Sequence, residues 1–213
     1  MAPALVVGLC VGLGYVCGSL PWGLWLGLWL RGVDVRTIGS GNLGATNVYR
    51  SLGPGIGVAT LVLDIAKGAL PVWLVPGAGF AAGFPGGPAW CAVAVAVAAV
   101  AGHVWTFLAG FRGGKGVATT VGVLLALSPP AFGVFVGVFL ATLLLTRFVS
   151  LGSILGSLAF VGALWRFAPD GVHSPAFALG AVLALVVIAR HKDNIARLLQ
   201  GTERRFTFTR GRE

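Results

Sequence analysis

From Pro3 to Leu30 the chain carries no charged side chain. As a helix rising ~1.5 Å per residue, this stretch outruns the ~30 Å hydrocarbon core of a bilayer, so it must tilt, kink or protrude. Gly18-Ser19-Leu20-Pro21 supplies the kink, because Pro21 has no backbone N–H with which to continue a helix. The rest of the sequence follows the same composition. Of 213 residues, 57% are AVILMFWYC, a further 34 are glycine, and 10% are charged, against ~45–50% apolar and ~25% charged in soluble domains. The mean hydropathy is +0.93. Such a chain cannot cover a water-soluble surface, nor is it polar enough for disorder. An all-α polytopic membrane protein is expected.

Apolar runs divided by polar or Gly/Pro breaks place the spans at 3–30, 54–76, 89–109, 117–128, 131–146, 153–167 and 175–190, with a basic tail at 191–213. Arg31 to Ser51 reads as a polar loop, Gly77 to Pro88 as an uncharged turn, and a short loop runs through Asp170 and His173. The stretch Val117–Thr146 reads as one long span or two short ones, and Ser128-Pro129-Pro130 at its centre favours a hairpin. Charge decides between them. With seven spans, all of the 15 Lys and Arg residues except Lys67 and Arg166 fall on one side; with six, Arg147 and the tail cations move to the opposite side. The positive-inside rule selects seven transmembrane helices, with the N-terminus outside and the C-terminus cytoplasmic. It also accounts for the net charge of +9 without nucleic acid as a partner. No cleavable leader is expected, since a basic n-region is missing. Cys10, Cys17 and Cys91 lie in apolar runs without metal-ligand spacing and read as small hydrophobes. Small-xxx-small pairs at Gly8/Gly12, Gly14/Gly18, Gly23/Gly27, Gly133/Gly137 and Gly152/Gly156 suit close helix packing, or follow by chance from the glycine content.

On this topology the polar residues gather at the cytoplasmic ends. The first loop reads Gly39-Ser40-Gly41-Asn42-Leu43-Gly44-Ala45-Thr46-Asn47-Val48-Tyr49-Arg50. Glycines let backbone amides approach an anion, Ser40, Asn42, Thr46 and Asn47 add neutral donors, and Arg50 adds a forked cation suited to phosphate. The second loop, Arg112-Gly113-Gly114-Lys115-Gly116, runs into a helix carrying Thr119 and Thr120, an arrangement that binds anions at a helix N-terminus. It is not a nucleotide P-loop, because Gly116 follows the lysine and Ala109 stands where the first glycine belongs. Each loop also reads as an ordinary glycine-rich turn. Ser150 and Asn194, in Thr146–Ser153 and His191–Arg197, are explained by helix capping when taken alone. Ile195, Leu198 and Leu199 give the tail an apolar face suited to the membrane interface. His103 reads as a hydrogen-bonded packing residue or a catalyst. Asp64 and Lys67, three apart in mid-span, read as a structural ion pair.

Some chemistry is excluded. No H-x-x-x-x-D pattern follows any histidine, and no cluster of acidic residues exists to hold two Mg²⁺ ions. Neither a metal nor a cofactor is expected. What remains is an enzyme or carrier that holds two phosphates near the inner leaflet. The rivals are a phosphate-ester transporter, which should show polar residues at the midplane and repeat symmetry, and a structural lipid-binding protein.

The stretches GSGNLGATNVYR, GHVWTFLAGFRGGKGVATT, TRFVSLGSI and HKDNIARLLQGTE, preceded by GSLPWG, resemble the bacterial acyl-phosphate-dependent glycerol-3-phosphate acyltransferases over nearly the whole chain. The resemblance implies transfer of a fatty acyl group from acyl phosphate to the 1-hydroxyl of glycerol 3-phosphate, the first step of phospholipid synthesis. It implies a bacterial inner-membrane location with a cytoplasmic site, contact with membrane lipids, and the enzyme that makes acyl phosphate as a partner. Ser40, Arg50 and Lys115 would bind phosphate or the acyl-phosphate carbonyl, Ser150 and Asn194 would line the same cavity, and Glu203 would support the tail or the substrate. The remaining loop residues, Gly39, Gly41, Asn42, Thr46, Asn47, Gly113, Gly114, Gly116 and Thr119, would contact substrate. The acceptor of the hydroxyl proton stays open between a substrate phosphate oxygen and His103.

Overall fold

A computed structural model describes residues 1–168 and 171–207, so Pro169, Asp170 and the tail residues from 208 onward, including Arg210, Arg212 and Glu213, lie outside the described residues. All regular structure among the described residues is helical. The chain forms two compact units, Met1–Leu127 and Ser128–Glu213.

The first unit opens with α1 (Pro3–Gly18) and α2 (Trp22–Arg31), broken at Ser19-Leu20-Pro21 where proline withholds its donor. The polar stretch that follows is not all loop. Val48 and Leu52, four residues apart, bury one face of a short helix, α3 (Ala45–Leu52), which begins after the extended Gly44. The local apolar content is too thin for sequence periodicity to reveal it. Next come α4 (Pro54–Gly77), α5 (Gly87–Val104) and α6 (Val117–Leu127). Glycines set how closely these helices pack. A Cβ at Gly68 of α4 would strike the Thr119 carbonyl of α6, and one at Gly122 would strike the Ile65 carbonyl in return. Of the five small-residue pairs, Gly14/Gly18, Gly23/Gly27 and Gly152/Gly156 lie against neighbouring elements, whereas Gly8/Gly12 and Gly133/Gly137 face open space. Cys10 and Cys91 are buried side by side with Sγ atoms 3.4 Å apart, and all three cysteines are free thiols.

The second unit comprises α7 (Pro129–Thr146), α8 (Val149–Phe167), α9 (Pro175–Arg190) and α10 (Lys192–Leu199). Ser128 and Ser174 cap α7 and α9, each accepting from the amide three residues on, with proline in the first turn. Arg147, at φ 62°, ends α7 in the left-handed region.

Among the described residues, five apolar helical segments are long enough to cross a membrane: Pro3–Arg31, Pro54–Gly77, Gly87–Ala109, Pro129–Thr146 and Val149–Phe167. A sixth arises if α9 and α10, bent by 60°, form one span, and Val117–Leu127 is a shorter apolar helix. Large side chains such as Leu74, Leu144, Leu145, Trp165 and Leu185 are exposed, as expected where the solvent is lipid.

Candidate functional site

The first polar loop is built by its own asparagines. Asn47, buried on α3, accepts from the Ser40 amide at 2.8 Å through Oδ1 and donates through Nδ2 to the carbonyls of Val35 (3.1 Å) and Ile38 (3.3 Å). Asn42 Oδ1 accepts from the Gly44 amide at 2.8 Å. Both side chains thus serve the loop backbone. Gly39 and Gly41, at φ 61° and 67°, hold left-handed conformations there, a region closed to most side chains. Ser40 and Arg50 are exposed and Thr46 is half-buried. Upstream, Arg36 donates to both Asp34 oxygens, with Nη2–Oδ2 at 2.6 Å. The side-chain hydrogen bond from Arg36, with one from its backbone, holds the Asp34 carboxyl below the usual carboxylate range.

The second loop hangs on the end of α5. The amides of Gly113 and Gly114 donate to the carbonyls of Val104 and His103, each at 3.2 Å. A Cβ at Gly113 would collide with the His103 carbonyl, and one at Gly114 with His103 Nε2. Gly116 takes φ 81° and its carbonyl receives the Thr120 amide at 2.7 Å, opening α6. Lys115 is half-buried.

Behind the loops lies a charged cluster. Lys67 Nζ stands 2.8 Å from Asp64 Oδ1 and donates to the Leu20 carbonyl at 2.7 Å. The expected pair therefore forms. It also reaches further, since Asp64 Oδ1 lies 3.8 Å from His103 Nδ1, which is hydrogen-bonded to Thr119 Oγ1 at 3.0 Å. Thr106 donates to the Ser19 carbonyl beside the α1–α2 break at 2.5 Å. A cavity of about 10 Å³ is bordered by Leu43 of the first loop and Gly114 of the second, together with Asp64, Lys67, His103 and Thr106. A larger concavity of about 420 Å³ lies among Val11, Phe84, Trp90 and Val97 and offers a phosphate no charged or hydroxyl side chain.

In the second unit the capping explanation of Ser150 and Asn194 gives way. Ser150 is the second residue of α8 and Asn194 the third of α10. Both turn to one acceptor: Ser150 Oγ donates to Glu203 Oε1 at 2.7 Å and Asn194 Nδ2 to the same oxygen at 2.6 Å. Arg197, which sequence reasoning did not single out, donates through Nε to Oε2 at 2.7 Å. Burial opposes ionisation of Glu203, but the hydrogen bonds from Ser150, Asn194 and Arg197 outweigh it and lower its pKa. The tail is also fastened by the Phe206 amide, which donates to the Arg147 carbonyl at 2.6 Å. His191, absent from the expected site, is buried at the α9–α10 bend with Nδ1 2.7 Å from the Val187 carbonyl. A carbonyl only accepts, so Nδ1 carries the proton in this contact. Its position inside the HKDNIAR stretch is the signal that could have marked it.

The structure brings some of the expected residues into two groups. In one, Gly113 and Gly114 pack on His103, which bonds Thr119, and Leu43 of the first loop borders the same recess; the other joins Ser150, Asn194 and Glu203. Against this geometry, residues 8–201 match the model of a family described as glycerol-3-phosphate acyltransferase. A glycerol-3-phosphate acyltransferase of Desulforudis audaxviator is 45% identical over 205 residues, covering 96% of this chain and 98% of that protein. One from Geobacter sulfurreducens is 45% identical, covering 90% of this chain and 93% of the relative. Two crystal structures of PlsY (YgiH), an integral membrane glycerol 3-phosphate acyltransferase, are also similar. The glycerol 3-phosphate form gives a TM-score of 0.84 at 36% identity, over 94% of this chain and 96% of that one. The lysophosphatidic acid form gives 0.82 at 35%, over 94% and 95%.

Proposed function

Because this chain belongs to the glycerol-3-phosphate acyltransferase family, we propose that it takes its acyl group from acyl phosphate and delivers it to the 1-hydroxyl of glycerol 3-phosphate. The observation that supports this reading is that Leu43 of the first glycine-rich loop and Gly114 of the second border one small recess beside Asp64, Lys67, His103 and Thr106. Two phosphate-bearing substrates require two such loops. In the reaction the hydroxyl oxygen attacks the acyl carbon, the carbon–oxygen bond to phosphate breaks, and lysophosphatidic acid and phosphate leave. The leaving group departs as phosphate, so little acid assistance is needed, and positioning and charge stabilisation dominate. Arg50 and Lys115 hold phosphate, and Ser40 supplies a hydroxyl. Ser150 and Asn194 are set in place by Glu203. A substrate phosphate oxygen takes the hydroxyl proton, because His103 is buried behind Gly114 and bonded to Thr119. The similar PlsY structures, in glycerol 3-phosphate and lysophosphatidic acid forms, support this substrate and product.

The deciding experiment incubates the purified protein with synthetic acyl phosphate and glycerol 3-phosphate. Lysophosphatidic acid and phosphate should appear together and persist in EDTA; phosphate release alone would refute the transferase. Arg50→Lys keeps the charge but loses the fork and should cost most of the activity. Near-wild-type activity in both Arg50→Lys and Lys115→Arg would remove the loops from the site and favour a phosphate-ester transporter.

Seven spans, with the N-terminus outside and the site facing the cytoplasm of the inner membrane, complete the reading. The helix α6, with 11 residues, rises only ~16 Å, but much of it is buried by protein, so it need not match lipid thickness itself. Cysteine placed at Ser128 should react with an impermeant label in intact cells. Reaction only after permeabilisation would exclude this topology.

A further inference from the structure

Asp64 and Lys67 have no part in the chemistry above, yet their bonds lead to both loops. Lys67 holds the carbonyl of Leu20, the residue before Pro21, where α1 stops and α2 begins. From there α2 runs directly against the first loop: a Cβ at Gly23 would strike the Leu43 carbonyl, and one at Gly27 would come within 2.8 Å of the Val33 carbonyl. The position of the Leu20 carbonyl therefore sets that of α2, and α2 sets that of Leu43.

On the other side, Asp64 faces His103 Nδ1 and Thr119 bonds the same nitrogen. The backbone of His103 and Val104 carries Gly113 and Gly114, and the ring lies against Gly114 too closely for a side chain there. The orientation of this imidazole therefore sets the second loop. Both routes start from one ion pair, whose side chains are 2% and 4% exposed, and both end at the cavity bordered by Leu43 and Gly114. A pair so enclosed has few alternative geometries, since moving either charge leaves the other without its partner.

We propose that Asp64 and Lys67 are positioning residues for acyl transfer, fixing the first loop through Leu20 and α2 and the second through His103, so that the two phosphate-binding loops keep one spacing. This rests on the transferase reading above. It assigns the buried pair a role in catalysis beyond holding the bundle together.

The test is the double variant Asp64→Leu/Lys67→Met, purified in detergent beside the wild type, with thermal unfolding and full kinetics for both substrates. Replacing both partners by apolar residues of similar volume commonly preserves a fold, so the melting temperature should stay near that of the wild type. The KM for glycerol 3-phosphate should rise about tenfold while kcat changes little, because a loosened loop weakens substrate binding. Thr119→Val, which deletes only the hydroxyl that orients His103, should move KM in the same direction by about threefold. Wild-type KM in both folded variants would overturn the proposal, and if the double variant fails to fold, Thr119→Val decides alone. A wild-type protein that forms no lysophosphatidic acid would sink the transferase reading and this inference with it. Product formation by the wild type, with unchanged KM in the variants, would sink this inference only.

Discussion

In the first unit a carboxylate and an ammonium face each other with side-chain exposures of 2% and 4%. In the second, a single carboxylate, Glu203 at 7% exposure, gathers Ser150, Asn194 and Arg197, of which only the arginine is charged. The first centre is balanced within itself, charge against charge. The second is one anion from the tail, shared among donors from the start of α8 and from α10. The difference teaches where each centre can be altered. A balanced pair can be removed together at less cost than either partner alone, because no buried charge is left behind, although Leu20 and His103 then lose their contacts to it. A shared acceptor cannot be removed without orphaning every donor aimed at it.

The largest effect should come from breaking the balanced pair on one side only. Lys67→Met leaves Asp64 enclosed without its partner and should cost about 3–5 kcal/mol, read as a drop in melting temperature in detergent. Adding Asp64→Leu to that variant should restore most of the loss. Equal stability of the single and double variants would erase the contrast between the two centres.

Glu203→Gln comes next. The amide oxygen can still accept from Ser150 and Asn194, but Arg197 loses its anionic partner, so a loss of about 1.5–3 kcal/mol is expected together with reduced turnover. The same residue gives a pH signature. Its carboxyl titrates below the ordinary value when folded, through its hydrogen bonds and despite burial. Its contribution is therefore complete above the ordinary carboxylate pKa and is lost as pH falls through the lowered folded value. Acid unfolding curves of the wild type should carry this limb, and those of Glu203→Gln should have it flattened. Identical acid limbs would show that the hub is held by neutral hydrogen bonds alone.

The smallest effect marks the exposed extreme. The Asp34–Arg36 contact is close, at 2.6 Å, but its side chains are 27% and 41% exposed. Asp34→Ala should change stability by less than about 1 kcal/mol. A larger loss would mean that Asp34 holds the first loop, and that exposure alone does not rank these centres.

Membrane residence was legible in the sequence, as were the glycine-rich, cation-bearing loops to which phosphate binding is assigned in the proposal. A bilayer demands long apolar helices, and an anion demands glycine, amides and cations in a short stretch, so both leave local marks. The pairing of Asp64 with Lys67 was also legible, because helical spacing puts residues three apart on one face. The bonds that organise the site leave no such mark. Asn47 looks like a ligand donor until it is seen bracing Val35, Ile38 and Ser40. Ser150 and Glu203 are separated by 53 residues, and no periodicity connects them. Lys67 reaches the Leu20 carbonyl across 47 residues because helix packing brings the α1–α2 break beside α4. Local composition decided what this protein dissolves in and which polar atoms its loops carry; only the packing of helices at their glycines decided which of those atoms are spent on the fold.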